Sequence, residues 1–395
     1  MKRVAMLCMG LALGAAQAAE AQLTMQMSNG WSFSFSGNVN AFAVYEKENA
    51  GTTVTTGGIV GGSDASATRI RTGLLPAFAV FDAKGKEGNT NVGVHFGFAP
   101  QIQCGAVDGA VQHDCFGAQI DMRQVFLTVG GTWGQILAGR ELGLFGRQNI
   151  LTDQTLFGVG ATGGQLSGGT TLGRIGFGYI YPQFKAQMTY STPADRPFQL
   201  SVGLFDPASN PPYNLIELPR LEAEGVWSSG ATKVWVGGLL QNNSLGIGLD
   251  ESATAWGGSG GVRLGSSSFS LTASGYYGKG LGTTLLFNLG TGDAGTGGGD
   301  DLRTSYGGIG QLTFTPANSK VTVAGSWGIS VLDNADSEAT TFSTKNWLAS
   351  GGLYYQATKS LKAVAEFNYA VTSGDDDLSD ENNSIAPAVG LMLFF

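Results

Sequence analysis

Apolar and polar residues alternate with period two along most of the chain, the spacing of a strand with one buried face. Across 320–331, Val321, Val323, Trp327, Ile329 and Val331 fall on one face; Lys320, Thr322, Ala324, Ser326 and Ser330 fall on the other. Segments 198–202, 220–227, 269–274 and 363–371 repeat the pattern. Short links near 193–197, 228–232, 265–268, 317–320 and 357–360 alternate with long ones at about 206–218, 243–254, 279–301, 332–343 and 373–384. Toward the N-terminus, long segments 47–67, 100–120 and 141–172 are separated by turns near 84–91 and 130–133. Alternating turns and long loops predict an all-β fold, an antiparallel transmembrane barrel with every long loop at one end. The sixteen predicted strands are 31–46, 68–83, 92–99, 121–129, 134–140, 173–191, 198–205, 219–227, 233–242, 255–264, 269–278, 302–315, 320–331, 345–356, 361–372 and 385–395. Within 173–191 the apolar parity shifts from Ile175, Phe177 and Tyr179 to Phe184, Ala186, Met188 and Tyr190. A hairpin at Pro182 and Gln183 would invert every later loop, so one strand with a bulge is expected there.

Composition sharpens this. Glycine supplies 63 of 395 residues, against 13% charged and 10% aromatic, a density at which long helices are disfavoured. Glycine has no triplet period, which excludes collagen, and the aromatics and low charge exclude disorder. The net charge of −8, with no basic stripe, argues against nucleic acid as a partner. Residues 1–21 carry Lys2 and Arg3, an apolar run and small residues around Ala18 and Ala21. These predict a cleaved export signal, with 22–395 as one barrel domain. The run is too short for a helical span, and no later stretch is long and apolar enough. A mature chain in a membrane therefore crosses it with strands. Cys104 and Cys115 lie in the exported part, where a loop disulfide is the expected state; the alternative, a metal, would need His113 and Asp114 beside them. In the last strand Ile385, Val389, Leu391, Leu393 and Phe395 share one face, and Leu391, Leu393 and the terminal Phe395 form the expected membrane-insertion signal.

From these residues the chain resembles the general porins of Gram-negative outer membranes. The best local match is 123–140, RQVFLTVGGTWGQILAGR, similar to the family's fourth and fifth strands joined by a tight glycine turn. The opening 35–39, FSGNV, and the closing Phe395 also fit. The resemblance implies a homotrimer of sixteen-stranded barrels whose third external loop folds inward. It also implies a setting of outer-membrane lipid and lipopolysaccharide, insertion by the barrel-assembly machinery, and passage of small hydrophilic solutes. One departure stands out. The family's acidic Pro-Glu-Phe-Gly-Gly-like loop motif is missing, and the third loop carries Leu142, Leu144, Phe145, Leu156 and Phe157 instead. These would anchor the loop against the wall or line a narrower passage.

A pore selects by the sign and spacing of charge at its narrowest point. Arg69, Arg71, Arg140 and Arg174 are the expected basic wall of the constriction, opposed by Glu141 and Asp153. The same arginines could instead pair with carboxylates or backbone to hold the loop; both readings stay open. Lys185, Arg220, Glu222, Glu224 and Glu366 fall on the expected lumen wall. The acidic run Asp375, Asp376, Asp377, Asp380 and Glu381 could hold a divalent cation but lacks EF-hand register, so a solvated rim is expected, with no cofactor and no metal site. His95 and His113, the only histidines, have no recognisable nucleophile or partner arrangement, and an enzyme is not expected. The expected function is an outer-membrane diffusion channel. A channel selective for anions or sugars, or a structural barrel with a plugged lumen, is the alternative.

Overall fold

The computed structural model describes residues 23–51, 57–61, 64–102, 120–163, 170–208, 218–244, 252–282, 301–336, 338, 341–374 and 381–395. The expected export signal, Cys104, Cys115, His113, Asp114 and the acidic run 375–380 lie outside them. The strands are β1 (Leu23–Gln26), β2 (Ser32–Asn49), β3 (Ala65–Arg71), β4 (Phe78–Glu87), β5 (Thr90–Pro100), β6 (Ile120–Gly131), β7 (Gly134–Leu142), β8 (Phe184–Ser191) and β9 (Phe198–Phe205). They continue with β10 (Arg220–Ser229), β11 (Thr232–Ser244), β12 (Ser252–Gly265), β13 (Phe269–Lys279), β14 (Thr304–Phe314), β15 (Val321–Asp333), β16 (Ser343–Gln356), β17 (Leu361–Ser373) and β18 (Asn382–Phe394). Consecutive strands from β4 to β18 pair antiparallel, and β18 closes on β2 with Leu391 opposite Ala41.

Sixteen staves result. β3 pairs with the upper half of β2 and β4 with its lower half, so the two form one interrupted stave. The interruption contains Pro76, which has no N–H for the ladder. Asn38 and Asn40 substitute for it: their side-chain amides donate to Pro76 O (3.2 Å) and Leu75 O (2.9 Å), and Asn40 Oδ1 accepts from Gly73 N at 3.0 Å. β1 is a short addition paired to the lower end of β2.

Outward positions carry the apolar belt that lipid requires. Along β18, Val389, Leu391 and Leu393 are exposed while Ala386 and Ala388 are buried on the inner face. Glycine and alanine on inner faces leave space, and the inward loop fills it.

One expected strand is corrected. The wall begins again only at Phe184, and 173–183 belong to the loop. Ile175, Phe177 and Tyr179 are buried inside the barrel, so the parity shift marks the boundary between a packed loop and a wall strand. No bulge is needed. The third loop therefore runs from 143 to 183 rather than ending at 172.

Candidate functional site: the inward loop and its wall

Gly146, at φ +80°, turns the chain into helix α1 (Arg147–Thr152), which a 3-10 turn over Gln154–Phe157 follows. Three buried apolar clusters then form inside the barrel. Leu142, Ile150, Leu156, Val159, Ile175 and Tyr179 pack against Phe42, Val44, Ala386, Ala388 and Met392 of the wall. Phe145 and Ile180 meet Leu239, Ala255 and Tyr276. Ala161 and Phe177 meet Leu348, Ala370 and Val60. The apolar residues of the loop are thus anchors.

Carboxylates of the wall hold its backbone. Glu222 Oε2 accepts from Leu144 N (2.7 Å) and Phe145 N (2.9 Å), and Glu366 Oε2 from Val159 N (2.7 Å) and Gly160 N (3.1 Å). Glu224 is bridged by Arg147 and takes Gln148 Nε2 at 3.0 Å. Across the lumen, Arg174 reaches Leu348 O (2.9 Å) and Ser326 O (2.8 Å) on β16 and β15. Gln154 N and Thr152 O bond the Gln311 amide, and Asn149 Oδ1 accepts from Trp235 Nε1 at 2.8 Å. Apart from the half-buried Ser326, each of these wall groups is buried. A buried polar group left unpaired costs about 1–3 kcal/mol, so the loop and the wall satisfy one another.

The loop also comes close to β15. A Cβ on Gly328 would sit 2.3 Å from Phe177 O. Gly328→Ala is expected to displace the loop from β15 and lower stability by about 1–3 kcal/mol, read as a lower thermal midpoint; an unchanged midpoint would show that the loop is not seated there.

The expected constriction residues separate on this geometry. Arg71 is buried and donates to Thr170 O at 3.0 Å, so it faces the loop, with Arg69 on the same face. Arg174 does not start a strand; it lies in the loop and crosses to the far wall. Asp153 caps the 3-10 turn, accepting from Thr155 N, Thr155 Oγ1 and the Tyr179 hydroxyl. Glu141 accepts from Gln124 Nε2 and Leu142 N. Arg140 is corrected outright. It is exposed beside Ile136 and opposite Ala186 on the outer face, because neighbours on a strand point to opposite sides. Lys185, Arg220, Glu222, Glu224 and Glu366 do lie on inward positions of their strands. Arg220 bridges Glu222 at 2.9 Å, and Lys185 donates to Pro207 O at 3.0 Å.

Sequence reading passed over Arg147, Gln148, Asn149, Gln311, Tyr354 and Trp235. The loop's Arg147 opposite a strand bearing Glu222 and Glu224 was a usable signal. The amides and aromatics offered none, since their roles depend on which wall the loop touches.

Burial, followed by the Asp153 carboxylate, pushes the Tyr179 phenol in this loop well above its ordinary value of 10.0. The stability linked to a raised phenol is fully present below that ordinary value and is lost as pH rises from there through the raised value of the folded state. Loop docking is therefore expected to weaken above about pH 10, seen as faster proteolysis in the loop. Tyr179→Phe is expected to reduce that pH dependence, to which the buried Tyr181 phenol of the same loop also contributes; an unchanged alkaline profile would contradict it.

Below the loop, toward the short turns, a vestibule of about 930 Å³ is lined by Thr128, Gln135, Gln187, Thr189 and Ser201, and it reaches up to Glu141 and Arg147. No family model and no curated protein matches the chain. Among solved structures it is similar to the outer membrane channel DcaP of Acinetobacter baumannii, at TM-score 0.69 and 16% identity over 94% of this chain and 99% of that one. The chain has the porin fold. The anion-selective porin of Comamonas acidovorans shares it at TM-score 0.62 and 12% identity, covering 92% of this chain and 100% of that one. The trimer form of OmpT, an outer membrane protein of Vibrio cholerae, does so at 0.55 and 13%, covering 93% and 100%. Within this porin fold, the loop that crosses the barrel and the polar vestibule beneath it are the candidate site.

Proposed function

We propose that the chain is a channel of the Gram-negative outer membrane, passing small hydrophilic solutes by diffusion through a barrel narrowed by the loop 143–183. The observation that carries this is the polar vestibule, which rises from the turn end and stops against the docked loop. No residue performs chemistry in this reading; width and charge do the sorting. The loop-bound groups Arg71, Arg174, Asp153, Glu222, Glu224 and Glu366 set the width. On the turn side, Lys233 and Arg263 stand opposite each other on inward positions of β11 and β12, and Lys362 lies 3.9 Å over the Phe157 ring. These cations favour anions at the inner mouth. A homotrimer is supported by the trimer form of the Vibrio protein. The residues Leu391, Leu393 and Phe395 serve as the insertion signal, read by the barrel-assembly machinery in a membrane of lipid and lipopolysaccharide.

A second reading, a barrel with a plugged lumen, is favoured by the three apolar clusters inside the wall. Liposome swelling with sugars of increasing size separates the two. Uptake of the small sugars and exclusion of the larger ones is expected; no swelling with folded protein would establish the plug.

A further inference from the structure

The loop does not fill all the space between itself and the first staves. A second cavity of about 350 Å³ remains there, lined by Leu74, Leu75, Leu142, Ile150, Leu151 and Phe184 among others. Its wall side is the break between β3 and β4, and its loop side is α1 with the returning segment around Thr171. The volume lies within the range of small-molecule sites. Its lining is more apolar than the vestibule's mixed one: nearly every contributing side chain is aliphatic or aromatic. A hydrophilic solute finds nothing to bond along most of this surface.

Besides Thr170 and the Tyr181 phenol, two polar features break the apolar lining. Arg123 stands at a register shift of β6, which turns it toward the cavity. Its Nε–H is used by Asp121 Oδ2 at 2.8 Å, and its guanidinium lies over the Phe184 ring at 5.6 Å. The other is Thr171, 2% exposed and lining the cavity, whose hydroxyl oxygen is buried with no hydrogen-bond partner among the described residues. A buried unpaired hydroxyl is costly, and an incoming acceptor beside it would remove that cost. The cation and the orphaned hydroxyl together suit one chemistry, a carboxylate at the end of an apolar body.

We propose that this cavity binds a single-chain apolar carboxylate, with its chain among Leu74, Leu75, Ile150 and Leu151 and its head between Arg123 and Thr171. The site is separate from the conducting vestibule, and its occupant packs against the loop that narrows the barrel. Binding there favours the docked loop, because the ligand fills space that loop and wall share. The inference goes beyond the channel reading and is measured without current, so the two fail separately.

The test is calorimetric titration of the trimer in lipid nanodiscs with sodium octanoate, with empty nanodiscs subtracted. Octyltrimethylammonium serves as a tail-matched cation. One saturable octanoate site per chain is expected, with the cation binding at least tenfold more weakly. Leu151→Trp, which fills the cavity, is expected to abolish the site. Thr171→Val, which keeps shape and loses the unpaired hydroxyl, is expected to weaken octanoate several-fold without lowering the thermal midpoint. Three results would overturn the proposal: no saturable binding to folded protein, equal binding of the two amphiphiles, or full binding by Leu151→Trp.

Discussion

Excising residues 145–181 and joining Leu144 to Pro182 by a short turn is expected to leave a folded barrel that carries several-fold more current. The junction is feasible because the ends of the loop already meet, with Gly143 N donating to Gln183 O at 2.8 Å. The wall beside it is held independently by the β7–β8 ladder, from Gln135 opposite Ser191 to Leu142 opposite Phe184. What leaves with the loop is its share of three apolar clusters, the loop partners of Glu224 and Glu366, and one of Glu222's two, since Leu144 N stays. Those carboxylates then face water, where a charge needs no protein partner, so the excised barrel is not burdened with buried orphans. Planar-bilayer conductance and the largest sugar admitted in liposome swelling should rise together. Equal conductance before and after excision would show that the narrowest point lies elsewhere.

Glu366→Leu is expected to have the largest effect on stability of any single change at the site. Its carboxylate accepts Val159 N and Gly160 N and is bonded by the Tyr354 hydroxyl. Leucine removes the acceptors while the amides remain buried, which costs roughly 2–5 kcal/mol for the donors left behind. Glu366→Gln keeps one side-chain oxygen and should recover part of the loss. Chemical unfolding of the two variants reads the difference. The leucine variant should also show noisier single-channel current, because the loop's middle is released from β17. A leucine variant as stable as the parent would mean that the loop is held by its apolar contacts alone.

The barrel was legible because its cause is local: a strand with lipid on one side and a polar or packed interior on the other must alternate. The strand positions, the position of the long loops and the outward face of Leu391 and Leu393 all follow from that. The error at 173–183 has the same root. A loop segment packed inside the barrel is as apolar as a wall strand, and period two cannot say which surface buries Ile175, Phe177 and Tyr179. Arg140 was misplaced for a different reason. Neighbours on a strand face opposite sides, so with Glu141 turned inward Arg140 faces outward. The partners of Arg174 were not readable at all, because Ser326 and Leu348 lie over 150 positions away and only the path of the loop joins them.

The most direct measurement is single-channel current through the intact chain in a planar bilayer, under a salt gradient. Small, ohmic, stepwise currents in sets of three are expected, with a reversal potential displaced toward anions by Lys233, Arg263 and Lys362. Folded trimer that inserts and passes no current would contradict the channel and leave a barrel sealed by its own loop.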